Sequence, residues 1–406
     1  MTVTDSPAPS FDSWHNLDQQ IRLWWDTDVH TAFEEDIRAD DEQTLLFLPY
    51  PYSSAGGSEK AFPEMYGWDT FFINCALLAH NRADLVRGHI LNQLYQIERF
   101  GMVLNGNRTY YRTRSQAPLL AESLRRYIHQ HNDYDLLMRA YPLLKHEYQH
   151  YWNAPHHQTP IGLATNRDIG DTDQPRLHAE SEALDFFAGY GGEVRHCVPL
   201  LTNCLLVAYA SNLGWVARRL RLESEAIHWE KLARERTARI QQYCWNDHHK
   251  MFLEYNFVEG QQIPVLSLCA YLPLWAGVAT QDQAYTLVQQ LTHFQHPYGL
   301  VMTDQMYPSP HPEFTWVQWN YPAGWPPFHI FVVEALERYR FVTEARQVAA
   351  PFLGLMTRLF QETGSLWEKY NVVEGSLSFP LERYDVPPLH GWSSAAVVLL
   401  GRQIFS

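Results

Sequence analysis

Val198-Pro-Leu-Leu-Thr-Asn-Cys-Leu-Leu-Val-Ala-Tyr-Ala-Ser-Asn-Leu-Gly-Trp-Val-Ala-Arg-Arg-Leu-Arg-Leu222, followed at once by Glu223 to Cys244, decides the architecture of this chain. Both stretches place apolar residues near the 3.6-residue period of a helix. The first overlaps the most apolar window of the sequence, Cys197 to Ala217. Asn203, Asn212 and Arg218 break that pattern, so a buried helix is expected rather than a membrane span. Two such helices in succession make a helical hairpin. Outward from it, the same period recurs over 14–25, 70–80, 83–100, 117–129, 133–152, 264–276, 280–294, 327–339, 344–360 and 391–404. A dozen helices with alternating short and long connections suit six hairpins closed into an (α/α)6 barrel, an all-α toroid. A superhelical repeat array is the other arrangement, and the lack of a repeated sequence signature favours the toroid.

Strand-like pieces are few. Met102-Val-Leu-Asn-Gly-Asn-Arg-Thr-Tyr-Tyr111 reads as a short hairpin around Asn105-Gly106. No Pro/Gly/Ser linker divides the chain, so residues 1–406 are expected to form one domain, with 1–12 as a tail. The long irregular segments are 48–67, 101–116, 153–182, 295–326 and 364–390. Function is expected on such loops, carried by a rigid helical scaffold, and 153–182 is a candidate lid.

With 46% hydrophobic and 14% aromatic residues, the sequence is that of a globular protein rather than a disordered one. Its net charge of −14, from 31 basic and 45 acidic residues, leaves no basic stripe for nucleic acid. Five cysteines without CxxC spacing fit free thiols in a reducing compartment. The first residues lack a signal peptide's basic and apolar regions, so a cytoplasmic protein with no membrane partner is expected. The 20 histidines show no HExxH spacing, and neither metal nor cofactor is expected. A homo-oligomer is compatible with the sequence.

Two segments combine aromatic with hydrogen-bonding side chains and lack the periodicity of a core element: Phe62-Pro-Glu-Met-Tyr-Gly-Trp-Asp69 and Gln318-Trp-Asn-Tyr-Pro-Ala-Gly-Trp-Pro-Pro327. Sugar rings stack their C–H faces on Trp or Tyr and need acceptors and donors for their hydroxyls. A Trp-rich core with satisfied polar groups is the plainer alternative, and it weakens when both segments occur in one chain. Glycoside hydrolysis also needs two carboxyl groups, one protonated and one ionised. Asp185 lies in Glu180-Ser-Glu-Ala-Leu-Asp-Phe-Phe187, where apolar neighbours would raise its pKa; a helix N-cap is the competing role. Glu368 lies in Leu366-Trp-Glu-Lys-Tyr370, where Lys369 could hold it ionised and a surface ion pair is the alternative. Arg108-Thr-Tyr-Tyr-Arg-Thr-Arg-Ser-Gln116 sets three arginines among tyrosines, as a grasp on sugar hydroxyls or a carboxylate would, or as a solvated basic face.

These motifs, in this order, resemble the trehalase-type α-glycosidases of glycoside hydrolase families 37 and 63. Phe62-x-Glu64-x-Tyr66-x-Trp68-Asp69 resembles the first trehalase signature and Gln318 to Pro327 the second. Asn105-Gly-Asn-Arg-x-Tyr-Tyr with Arg114-Ser-Gln116, Pro175-Arg176, Ala179-Glu-Ser…Asp185-Phe, Glu368-Lys-Tyr370 and Gly391-Trp392 fall between and after them in the family's register. The resemblance implies an (α/α)6 barrel and single-displacement hydrolysis with inversion, Asp185 as general acid and Glu368 as general base. It places Trp68, Asp69, Asn105, Arg114, Gln116, Arg176, Gln318 and Trp319 around the sugar, with Tyr66, Trp325 and Tyr370 beside them and Glu180 as a weaker match.

The sequence also departs from that pattern. Gly56-Gly-Ser-Glu-Lys-Ala-Phe62 lacks the arginine of the first signature, Asn320 replaces an aspartate of the second, and Ser376-Leu-Ser-Phe-Pro380 stands where a Gly-rich Glu-Tyr-Pro loop would be. The compact length and the departures are similar to bacterial mannosylglycerate and glucosylglycerate hydrolases. The expected reaction is therefore release of a hexose from a glycosylglycerate, with Tyr110, Arg114, Gln116, Arg176 or Lys60 facing the carboxylate. Trehalose, glucosylglycerol or another α-glucoside is the alternative substrate. A catalytically inactive sugar-binding protein is the non-enzymatic one.

Overall fold

A computed structural model describes residues 9–57, 61–170, 172–174, 177–178, 184–310, 315, 317–382 and 384–405. Among these residues twelve helices alternate between an inner and an outer ring, with a further short helix at Glu34–Ala39. The inner helices are α2 (Asp69–Ala79), α4 (Leu120–His131), α6 (Leu200–Arg219), α8 (Leu272–Trp275), α10 (Pro326–Arg338) and α12 (Gly391–Phe405). The outer ones are α1 (Phe11–Thr27), α3 (Ala83–Phe100), α5 (Tyr134–Glu147), α7 (Glu223–Cys244), α9 (Gln281–Gln290) and α11 (Val342–Thr363). Each inner helix touches the next, and α12 returns to α2, which closes the toroid. The expected (α/α)6 barrel is the observed fold.

Burial explains why the two rings read differently in sequence. In α2 every residue from Asp69 to Leu78 is buried, and α6 buries most of both faces, so neither shows a narrow apolar stripe. Helix α6 is long and apolar enough to cross a membrane, yet it is packed between α4, α7 and α8 inside the barrel. Local signals set the ends. Ser10 accepts a hydrogen bond from Ser13 N at the start of α1, Asp133 from Leu136 N at α5, and Thr280 with Gln283 forms a capping box at α9. Gly101 and Gly364 end α3 and α11 at φ of 83° and 78°, a conformation costly for a residue with a Cβ.

Two expected elements change. The helix over 264–276 shrinks to a 3-10 turn, Leu268–Tyr271, and the single turn of α8. Pro273 has no N–H to donate, so it suits the first turn of a helix, and Ser267 upstream is held extended in a bridge to Thr303. The hairpin around Asn105-Gly106 does not form. Asn105 N bonds Arg114 O, Leu46 N bonds Asn107 O, and 109–111 is a 3-10 turn, so this backbone is committed to other segments. A strand pair that sequence reading passed over, Val29–Ala32 with Leu48–Ser53, lies antiparallel instead.

The first helix is locked onto the last at one narrow point. Trp14 Nε1 donates to Val397 O at 3.0 Å, and its indole crosses α12 over Gly401. A Cβ at residue 401 would stand 1.8 Å from Trp14 Nε1. Gly401→Ala should therefore unseat α1 and cost about 1–3 kcal/mol, the usual penalty for overpacking. A thermal midpoint equal to that of the wild type would show that α1 can shift freely on the barrel.

Candidate active site

The segments that precede α2, α4, α10 and α12 converge on one mouth of the barrel, around a cavity of about 370 Å³. Four tryptophans build much of its wall. Trp319 and Trp325 stack with centroids 3.7 Å apart, and Trp68 meets Trp319 at 5.9 Å and Trp392 at 5.8 Å, edge to face. These rings are almost fully buried against one another, so the wall is rigid as well as apolar. Tyr66, Asp69, Asn105, Tyr111, Gln116, Asp185, Gln318, Glu368 and Tyr384 add polar groups to it.

Glu368 is the most unusual of them. It is buried, Tyr384 OH donates to its Oε1 at 2.8 Å, and its Oε2 has no hydrogen-bond partner among the described residues. Burial pushes its pKa up to about 7, opposed by the nearby Lys369 ammonium and the Tyr384 hydroxyl and reinforced by Asp185 and Glu382. The group is thus neither a surface ion pair nor simply held ionised by Lys369. That ammonium reaches Glu382 at 2.5 Å instead. Asp69 opens α2 and faces the same cavity; burial raises its pKa to about 8, offset by its own backbone N–H and reinforced by the charge on Glu368.

Asp185 accepts a hydrogen bond from Trp319 Nε1 at 3.1 Å and is only part-buried. It does not cap a helix, since the next turn, Ala188–Tyr190, begins after Phe187. The residue after it, Phe186, has φ of 53°, and Phe186 O accepts from Gln318 N at 3.2 Å. Left-handed backbone at a bulky residue is strained, and such strain often occurs where a neighbouring side chain must be aimed.

Asn105 and Gln116 serve the wall twice over. Gly67 N donates to Asn105 O at 3.0 Å and Trp68 N to Gln116 Oε1 at 2.8 Å, so both fix the Tyr66–Trp68 segment while lining the cavity. The three-arginine grasp is not built. Arg108 bonds Glu64 and Asp40, both at 2.8 Å, Arg114 bonds Asp168 at 2.9 Å beside the Tyr111 ring, and Arg112 lies over Phe100. Buried guanidinium groups need carboxylate partners, and these found theirs within the scaffold. Tyr110 points outward and is 47% exposed, while Tyr111 lines the cavity in its place. Tyr370 lies in the core, its hydroxyl accepting from Trp367 N at 3.0 Å, and supports the strand after Glu368 rather than the cavity. Arg176 and Glu180 lie outside the described residues, as does Lys60. Tyr384 was not singled out in the sequence, because a lone tyrosine in an irregular loop carries no period and no motif.

Asn320, a departure expected to mark a change of substrate, sits behind the wall. Its Oδ1 accepts from Thr303 Oγ1 at 2.8 Å and Tyr307 N at 3.1 Å, and its Nδ2 donates to Tyr307 O at 2.8 Å. The amide is a turn fastener. A larger cavity, about 660 Å³, opens at the opposite end of the barrel. There Arg126 is spent on Glu334 and Glu122, and Arg338 and Arg402 lie in the last turns of α10 and α12, where cations complement helix C-termini.

A family model described as Trehalase matches residues 10–195 and 191–402. The chain is 28% identical over 394 residues to a cytosolic neutral trehalase of Kluyveromyces lactis, an alignment covering 81% of this chain and 52% of that protein. It is 28% identical over 400 residues to the cytosolic neutral trehalase of Saccharomyces cerevisiae, covering 82% and 53%. It thus spans about half the length of the curated relatives it matches. In structure it is similar to the neutral trehalase of Saccharomyces cerevisiae, with a TM-score of 0.76 and 25% identity over 88% of this chain and 74% of that one. A mannosylglycerate hydrolase of Thermus thermophilus shares the fold, with a TM-score of 0.66 at 16% identity over 95% and 99% of the two chains. With the family model running over nearly its whole length, the chain belongs to the trehalase family of glycoside hydrolases.

Proposed function

We propose that the protein is an inverting α-glycosidase and that trehalose is its substrate. One observation carries the mechanism: a buried carboxylate, Glu368, with one oxygen unpartnered among the described residues, lines the same cavity as a second carboxyl group, Asp185, held by an indole N–H. In this scheme Asp185 gives its proton to the glycosidic oxygen as the C–O bond breaks. Glu368 Oε2 takes a proton from the water whose oxygen bonds the anomeric carbon on the opposite face. A base with a pKa of about 7 is matched to work near neutrality. From α,α-trehalose the products are one β-glucose and one α-glucose. The tryptophan wall and the Asp69, Gln116 and Gln318 groups supply the stacking and hydrogen bonds for one hexose.

Several observations favour trehalose over a glycosylglycerate. The similar proteins in sequence are named trehalases. Among the described residues lining the cavity there is no Lys or Arg to meet a glycerate carboxylate. The Asn320 substitution stays behind the wall. The likeness to a mannosylglycerate hydrolase concerns the fold alone. We assign the protein to the cytosol, as the names of its relatives suggest and as five buried free thiols allow.

The test is the release of hexose from trehalose, glucosylglycerate, mannosylglycerate, glucosylglycerol and kojibiose, with the anomer of the first product read by proton NMR. Trehalose should be turned over fastest and β-glucose should appear first. Retention of configuration would refute the mechanism, and faster turnover of a glycosylglycerate would refute the substrate. Asp185→Asn and Glu368→Gln should each lower kcat by about 10²–10⁴-fold in a folded protein.

The buried carboxylate also gives a signature without substrate. The pKa of Glu368 is about 7 in the folded state against 4.5 unfolded, so the native state binds the extra proton between those values. Stability contributed by this group is therefore full below pH 4.5 and falls as pH rises to 7. Glu368→Gln removes the penalty and should stabilise the fold by about 1–3 kcal/mol at pH 8, with the gain fading towards pH 4.5. Melting curves at the two pH values decide this; equal effects at both would mean Glu368 is not a desolvated carboxylate.

A further inference from the structure

The loop after Glu368 folds back upon it. Glu368 N donates to Pro387 O at 3.1 Å, Leu389 N donates to Leu366 O at 2.8 Å, and Trp367 bridges Pro388. Lys369, whose side chain is wholly buried, reaches Glu382 of the same loop, and its ammonium lies 5.0, 5.2 and 5.9 Å from the Trp325, Phe379 and Tyr384 ring centroids. These anchors deliver the Tyr384 hydroxyl to Glu368 Oε1 at 2.8 Å. The same hydroxyl accepts from Gln318 Nε2 at 2.8 Å. A phenol has one proton, and with the amide donating into its oxygen that proton is directed at the carboxylate. Oε1 is thereby occupied, and Oε2, itself buried, has no hydrogen-bond partner among the described residues, in a side chain that lines the cavity.

We propose that Tyr384 is the positioning residue of the general base: by holding Oε1, it leaves Oε2 as the one oxygen that takes the proton of the attacking water. The role rests on the assignment of Glu368 as base. Acting on that carboxylate together, Lys369 and Tyr384 favour its ionised form, while burial, Asp185 and Glu382 oppose it. Losing the phenol proton removes one of the two favourable groups, so the carboxylate should ionise at higher pH.

The experiment is a carbon-13 carboxyl NMR titration of the free enzyme, with Glu368→Gln used to assign the resonance. In Tyr384→Phe the Glu368 midpoint should rise, and kcat on trehalose at pH 7 should fall about tenfold or more with KM little changed, an effect on the chemical step rather than on binding. Difluorotyrosine at 384 keeps the shape but has a more acidic phenol. It should move the midpoint the other way, which separates a hydrogen-bonding role from a merely structural one even if Tyr384→Phe melts early. An unmoved midpoint in both variants would overturn the proposal. Full turnover of trehalose by Glu368→Gln would overturn the base assignment and this role with it. Because the titration needs no substrate, a failure to hydrolyse trehalose would count against the substrate and leave the midpoint shifts to decide the role of Tyr384.

Discussion

A carboxylate with one bare oxygen inside a protein wall is costly to hold, about 1–3 kcal/mol for an unmet polar atom and more when it is charged. Glu368 is such a group, and the surrounding structure is arranged to tolerate it. Tyr384 satisfies one oxygen, Trp392 Nε1 donates to the Glu368 carbonyl at 3.0 Å, and Lys369 sits next in sequence as a buried cation. None of these partners reaches Oε2. The closed inner ring makes the arrangement possible, because a wall set by six helices does not relax around one unsatisfied atom as a flexible loop would.

The tryptophan cluster works in the same direction. Trp68, Trp319, Trp325 and Trp392 come from the starts of three inner helices or the segments before them; Trp319 and Trp325 stack, and Trp68 and Trp392 meet them and each other edge to face. Each ring in that cluster fixes the next, and Trp319 carries the fixation to Asp185 through its indole N–H. Asp185 and Glu368 are thus referred to one aromatic block. Helix direction adds to this: the inner helices begin at the site, so their N-terminal ends lie near its carboxyl groups, and their C-terminal ends lie at the far cavity with Arg338 and Arg402.

The helical hairpins are legible in sequence because most of their helices keep a 3.6-residue apolar stripe, while α6, buried on both faces, is marked by its length and apolar content. Pro273 and the extended Ser267 defeated that period over 264–276, where apolar content alone imitated a helix. Most of the cavity residues were legible as well, since Trp68, Asp69, Gln318, Trp319 and Glu368 stand in segments whose mixed composition has no packing rationale. Charge was read less well. Arg108 and Arg114 looked available, but their partners Asp40, Glu64 and Asp168 come from other loops, and no local pattern announces a long-range ion pair. Tyr384 was invisible for the same reason: its importance lies in two hydrogen bonds to residues 16 and 66 positions away.

Lys369 shows how sequence adjacency can mislead. Beside Glu368 in the chain, it looked like the group that keeps the base ionised. In the fold its ammonium is committed to Glu382, within reach of three aromatic faces, so its first effect is to pin the loop that carries Tyr384. Its charge still favours the ionised form of Glu368, but at the distance of a neighbour rather than through a direct bond. Burial sets most of the proton affinity of Glu368, and how that loop lies adjusts it. A change in the loop could retune the working pH of the site while the tryptophan wall and both carboxyl groups stay where they are.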